Sequence, residues 1–164
     1  AGMVVVGIDP GVSGALACIG PGGRCALEDL PTIEVPGTGR TTRKLCGRGL
    51  AELLRKHVPA DEACMVVVED VHTMPGNKSG ASANTSLMHS KGVIEGVLGV
   101  LRVETRLVNS QRWKKFYGLG NNKNESIACA LRLYPAAAQS ISLKKHHNRS
   151  EALLIAHWAT RELA

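Results

Sequence analysis

Hydrophobic positions in the first thirty residues fall into short runs of strand length, each closed by glycine, proline or an acid. Val4-Val5-Val6-Gly7-Ile8 runs into Asp9, Pro10-Gly11-Val12-Ser13-Gly14 turns the chain, and Ala15 to Ile19 is apolar again. The pattern predicts strands over about 3–9, 14–20 and 24–29, arranged as an antiparallel meander. The Pro/Gly-rich stretch 31–39 predicts a loop, and Leu45, Leu50, Leu53, Leu54 and Val58 predict a helix over 42–58. Cys64-Met65-Val66-Val67-Val68 is apolar on both faces, so it predicts a central strand with helices above and below. That strand also ends in acids, Glu69-Asp70.

Residues 72–86 lack periodicity and predict an exposed loop; a long helix follows over 85–101, then a short strand over 103–108. A helix over 110–117 with Ser110 as its cap, a Gly/Asn loop over 118–122 and a helix over 123–134 ended by Pro135 come next. The last helix, 148–163, carries Ala152, Leu153, Ile155, Ala156, Ala159 and Leu163 on one broad apolar face. Three meandering strands followed by alternating helix and strand predict an α/β fold in one domain over 1–164. Its sheet is five-stranded and mixed, three strands antiparallel and then two parallel, with helices on both faces. Gly92, Gly96 and Gly99 make one smooth face of the long helix. A second copy of the chain or the protein's own sheet would fit against it.

The chemistry lies at the strand ends. Asp9 and Glu69 each close an apolar strand at its carboxyl edge, where open α/β sheets place their ligands. Glu151 falls in the first turn of the last helix, three residues after Asn148 and on the same helix face. A carboxylate on a core strand is costly unless compensated, and a divalent cation is the natural compensation. Two such ions about 4 Å apart support phosphodiester displacement without a nucleophilic side chain. The chain carries no Ser/His/Asp triad signal. Taken singly, Asp9 is also compatible with a turn-forming role, Glu69 or Asp70 with a solvated strand end, and Glu151 with a first-turn acid favoured by the helix dipole.

Charge adds a polyanionic partner. The chain carries 20 Lys and Arg against 14 Asp and Glu, a net +6, with a pI near 9.3. From Arg102 to Arg149 ten basic residues face only Glu104 and Glu125, and Arg40, Arg43, Lys44, Arg48, Arg55 and Lys56 form a second cluster. Such surfaces attract nucleic acid by counterion release, the alternative being a solvated face without a partner. The five scattered cysteines contain no C-x-x-C pair, which argues against a zinc site or disulfide framework and fits a reducing compartment. No run approaches the roughly 20 apolar residues of a membrane span. No signal or transit segment is present, and the Ala1-Gly2 start reads as trimmed.

The motifs Gly7-Ile8-Asp9-Pro10-Gly11, Val67-Val68-Glu69-Asp70-Val71 and Asn148-Arg149-Ser150-Glu151-Ala152-Leu153-Leu154-Ile155-Ala156 resemble, in this order, the RuvC-type Holliday junction resolvases of the ribonuclease H-like superfamily. The Gly118-Leu119-Gly120 loop adds to the likeness, which spans nearly the whole chain and is greatest to plant chloroplast resolvases of the monokaryotic chloroplast type. The resemblance implies a ribonuclease H-like fold and a chloroplast nucleoid location. It also implies a Mg²⁺-dependent homodimer, with two ions per site and Mn²⁺ as a substitute, that makes paired symmetric nicks in four-way DNA junctions. Asp9, Glu69 and Glu151 would bind metal. A fourth acid is expected where this chain has Asn148, which keeps the shape of Asp without its charge. An inactivating substitution and a natural variant both fit, and either leaves a chain that binds junctions and cleaves poorly.

The same resemblance puts a lysine near the reacting phosphate, a role carried to Lys123 beside the Asn121-Asn122 loop, whose free amides suit phosphate. His147, next to His146, is a candidate for proton transfer or product departure, or a surface residue. Lys114, Lys115, Lys144 and Lys145 read as phosphate contacts, with Trp113 in the core. The resemblance also implies that the stretch from His72 to Ser82, including Met74, Asn77 and Lys78, reaches the junction bases, the alternative being a loop without contacts. Three functions follow: a junction endonuclease, a catalytically silent junction-binding protein, and an ATP-binding protein of the sugar kinase or actin type. The last is usually longer and has two such domains.

Overall fold

The computed structural model describes residues 2–72 and 80–164. Strands β1 (Val4–Asp9), β2 (Ala15–Ile19) and β3 (Cys25–Asp29) form the expected meander. β6 (Cys64–Glu69) and β7 (Glu104–Val108) extend it in the order β3-β2-β1-β6-β7, with β1, β6 and β7 mutually parallel. The fold is thus α/β with three antiparallel and two parallel strands. β1 and β6, buried along their length, lie at its centre.

Strand alternation sorts the core into two layers. Val4, Val6, Ile8, Val66 and Val68 face α1 (Gly47–His57) and α2 (Gly80–Leu101) through Leu50, Leu54, Ile94 and Leu98. Val5, Met65, Val67 and Val108 face the other side. That side is covered by α3 (Ser110–Tyr117), α4 (Lys123–Leu133), the single turn α5 (Ala138–Ile141) and α6 (His147–Glu162). α6 is buried from Ala152 to Ala156 and lies directly against β1. Gly7 permits this. A methyl group there would stand 2.4 Å from the Ala152 carbonyl and 2.6 Å from the Ala156 nitrogen, both backbone atoms that cannot swing aside.

Five expectations need correction. Residues 31–39 are not a loop, and the helix predicted over 42–58 starts only at Gly47. The intervening chain is a hairpin, β4 (Thr32–Gly37) and β5 (Arg40–Leu45), forming a two-stranded sheet of its own. Gly39, at φ +76°, makes its two-residue turn. Pro36 is tolerated because β4 has no neighbour on its other side. β-branched Thr41 and Thr42 favour the strand, and the Cys46 sulfur accepts from the Gly49 amide at 3.3 Å to start the helix late. The loop predicted over 72–86 is helical from Gly80 onward, where Ala81 and Ala83 sustain α2. The cap of α3 is Asn109 rather than Ser110, its side chain accepting from Gln111 at 2.8 Å. The last helix begins at His147, not at 148.

Candidate active site

Parallel pairing of β1 with β6 runs to Ile8 opposite Val68, so Asp9 and Glu69 are next in register and leave the same sheet edge together. Both share the face of Val5 and Val67, the face covered by α6. Glu151 on the first turns of α6 is therefore brought over Asp9 by the close helix–strand contact at Gly7. Asp9 is only 8% exposed and Glu69 9%. Burial pushes the Asp9 carboxyl well above the usual range. The charges of Glu151 and Glu69 and a hydrogen bond shared with Glu151 push it further, and Lys114 opposes them. Glu69 is raised by burial and by Glu151, while the Trp113 hydrogen bond and Lys114 hold it down. This is a small acidic crevice in which the like charges outnumber the cation that answers them.

The donor set suits a hard divalent cation: carboxylate oxygens facing one another, with no thiolate among the groups that act on them. As the side chains lie, no three His, Cys, Asp or Glu among the described residues stand close enough together to hold one ion. Glu69 is turned toward Trp113, whose indole Nε1 donates to its Oε2 at 2.7 Å. Mg²⁺ commonly takes one or two carboxylates and completes its shell with water and phosphate oxygens. Asp9 and Glu151, with Glu69 beside them, are compatible with that mode.

Asn148 lies in the first turn of α6, and its Nδ2 donates to the Ser13 carbonyl in the β1–β2 turn. An ionised carboxylate here could not make this bond, since it would set an oxygen against an oxygen. Lys123 is exposed at the start of α4, where Asn122 is the cap and accepts from Asn124 at 2.9 Å. The lysine whose charge acts on both Asp9 and Glu69 is instead Lys114, its Nζ 5.5 Å from the centre of the Trp113 ring. Lys115, Asn121, Lys144 and Lys145 are exposed, and His147 Nδ1 lies 3.3 Å from the Lys144 carbonyl. His72 is exposed beside Asp70, at 3.5 Å. Met74, Asn77 and Lys78 lie outside the described residues.

Three partners escaped the sequence reading. Trp113 is fully buried, as expected of a core residue, yet it also orients Glu69. Asp70, adjacent to Glu69 but on the opposite face, is taken by Lys91 at 3.2 Å, whereas among the described residues the Glu69 side chain has no ion pair and only the Trp113 hydrogen bond. Arg149 grips Asp29 with two bonds of 2.7 and 2.8 Å. The contacts of Trp113 and Arg149 span 44 and 120 residues, and no local pattern reveals them.

No protein-family model matches the chain. Over 94 residues, 56% of the chain, it is 36% identical to the chloroplastic Holliday junction resolvase MOC1 of Chlamydomonas reinhardtii; the matched stretch is 10% of that protein's length. Among solved structures it is similar to Thermus thermophilus RuvC in complex with a Holliday junction substrate. That match has a TM-score of 0.56 and 15% identity, covering 97% of this chain and 96% of the other. A second Thermus thermophilus RuvC structure gives a TM-score of 0.52 at 18% identity over the same shares. The fold is that of RuvC, and the sequence match is to a Holliday junction resolvase.

Proposed function

We propose that this chain, RuvC-like in fold and resolvase-like in sequence, is an endonuclease domain acting on four-way DNA junctions, with Asp9, Glu69 and Glu151 as its working carboxylates. The observation that carries the reading is Asp9: a buried strand-end acid facing Glu151 and Glu69 with too little positive charge nearby. Mg²⁺ held by Asp9 and Glu151, with Glu69 in support, would supply an activated water and charge neutralisation at the phosphate. Two ions per site fit the acid count, and Mn²⁺ would substitute. The chain's own contribution is positional. Gly7 sets the height of α6, Trp113 fixes the Glu69 rotamer, and Lys114 offers positive charge beside the acids. Lys123, His147 and the exposed lysines Lys115, Lys144 and Lys145 are assigned to the incoming DNA.

Homodimerisation belongs to the same reading. Gly92, Gly96 and Gly99 have open space where a side chain would stand, which supports a partner copy on that face of α2. Sedimentation of the free chain tests it, a strict monomer counting against it. A chloroplast location is proposed from the likeness to the chloroplastic resolvase. Among the described residues no helix is long and apolar enough to cross a membrane.

One observation favours a second reading, a junction-binding chain with little cleavage. Asn148 brings no charge to the crevice and has its amide engaged by Ser13. The deciding experiment is nicking of a labelled immobile junction with and without Mg²⁺, by this chain and by Asn148→Asp. Paired Mg²⁺-dependent nicks that strengthen in Asn148→Asp support the nuclease reading and an impairing Asn148. Tight binding with no nicks from either chain supports the silent reading and sinks the nuclease.

A further inference from the structure

Two basic clefts flank the β4–β5 hairpin, and Arg43 lines both. The first, about 420 Å³, lies at the start of α6 and includes Ser13, Arg43, Lys145, His146 and Arg149. Its one acid, Asp29, is already neutralised by the two-pronged contact with Arg149. Among the described residues Arg43 and Lys145 make no ion pair. Burial, Arg149 and Lys145 lower the pKa of His146, and its Nδ1 is enclosed without a partner. Ser13, which lines this cleft, accepts from Asn148 at the start of the helix that carries Glu151. The second cleft, about 390 Å³, continues from the hairpin to α2. It is lined by Thr42, Arg43, Lys44, Ser86 and His89 among others, and by no acid.

The hairpin suits a surface role. It is a sheet apart from the main one, and β5 is exposed from Arg40 to Lys44. Opposite Arg43 in register stands Glu34, yet among the described residues no ion pair holds Arg43 or Lys44. Cations and hydroxyls spaced along one path, with Glu34 as the cross-strand acid and no ion pair formed to it among the described residues, match the repeating charge of a nucleic-acid backbone. We propose that the β4–β5 hairpin is a backbone clamp. Arg43 and Lys44 carry a DNA strand from the cleft at the start of α6 across to α2, fixing phosphates beside the acid crevice. The proposal rests on the junction reading above and extends it to an element that neither the strand-end acids nor the lysines of the second half had implicated.

The test is equilibrium binding of a labelled four-way junction across a salt series, without Mg²⁺, using the full chain. The Arg43→Ala/Lys44→Ala double variant is expected to bind roughly tenfold or more weakly. Its slope of log affinity against log salt should be shallower by about 2, roughly one unit for each phosphate no longer neutralised. The charge-keeping Arg43→Lys/Lys44→Arg variant should bind within about twofold of the wild type, since a phosphate track needs charge more than shape. Equal affinity and slope for the wild type and the alanine variant overturns the clamp and leaves the junction reading standing. A wild-type chain that binds no junction overturns both. Lysine-modification footprinting of the wild-type chain reads the same interaction without a substitution. Bound junction should shield Lys44, and unchanged labelling there overturns the clamp even if a variant misfolds.

Discussion

Three carboxylates close strands in one row of the sheet, and their surroundings differ. Asp29 ends β3 opposite Ala15, which in turn faces Asp9 at the end of β1; Glu69 follows at the end of β6. Asp29 meets a guanidinium, which holds its carboxyl below the usual range. Asp9 meets two more acids, and with burial they push it the other way. From the sequence all three are a strand ending in an acid. The partner makes the difference: it separates a carboxylate neutralised by a guanidinium from buried carboxylates set against one another, the ones the proposed function assigns to a ligand. Asp70, one residue from Glu69 and bound to Lys91, repeats the contrast over the shortest distance.

The sharpest break of this contrast is Asp9→Asn in a chain carrying Asn148→Asp. Junction cleavage should fall by roughly 100- to 1,000-fold, the scale of removing one electrostatic contributor from a reacting centre. The same change should stabilise the metal-free fold. A raised carboxyl pKa means the folded chain holds its proton more tightly than the unfolded chain does. Stability is thus lost as pH climbs from about 4 toward the raised folded value, and an amide has nothing to lose. Thermal melts between pH 4 and 8 check this. A fold equally stable with and without the charge would mean Asp9 is compensated after all.

Next in size is Gly7→Ala. The added methyl meets the α6 backbone at 2.4 Å, so the helix must lift or shift. A cost of about 1–3 kcal/mol is expected in denaturant melts. A drop in cleavage larger than stability explains is also expected, because Glu151 leaves Asp9. Full activity in a folded Gly7→Ala chain would show that the helix height does not matter. Asn148→Asp alone should raise Mg²⁺-dependent nicking, roughly tenfold or more. In the absence of metal it should slightly lower stability, since the carboxylate cannot donate to the Ser13 carbonyl.

The smallest effect belongs to Asp29→Asn. Cleavage should stay within about twofold. The lowered pKa of Asp29 contributes stability above about pH 4 that disappears as pH falls through the folded value. With Asp29 itself largely solvent-exposed, the contribution is under about 1 kcal/mol. A large loss of cleavage here would erase the distinction between bracing and working acids.

Much of the architecture was legible because burial writes itself into pattern. β1, β2, β6 and α6 are apolar in runs that match their period, and the acids that end β1 and β6 could be read at once. The hairpin escaped because exposed strands need no apolar alternation; Pro36 and the glycines hid Thr41 and Thr42. In the crevice the acids were visible and their regulators were not. Trp113, Lys114 and the Ser13 carbonyl act through contacts set by the folded chain; Lys123 is marked by its place beside a recognisable loop, whereas no local pattern marks Lys114 as the lysine whose charge acts on Asp9 and Glu69.

The bond from Trp113 to Glu69 carries an optical consequence. An indole donating to a carboxylate in a dry pocket emits differently from one whose acceptor has been recruited by an ion or has rotated away. The second tryptophan, Trp158, lies under Arg112 at 5.2 Å and among the described residues has no such link to an acid, so it serves as an internal reference. The fold has thereby wired a fluorophore to one of its own candidate ligands, and if the acids take an ion as proposed, its arrival is expected to change tryptophan emission, with no label and no turnover.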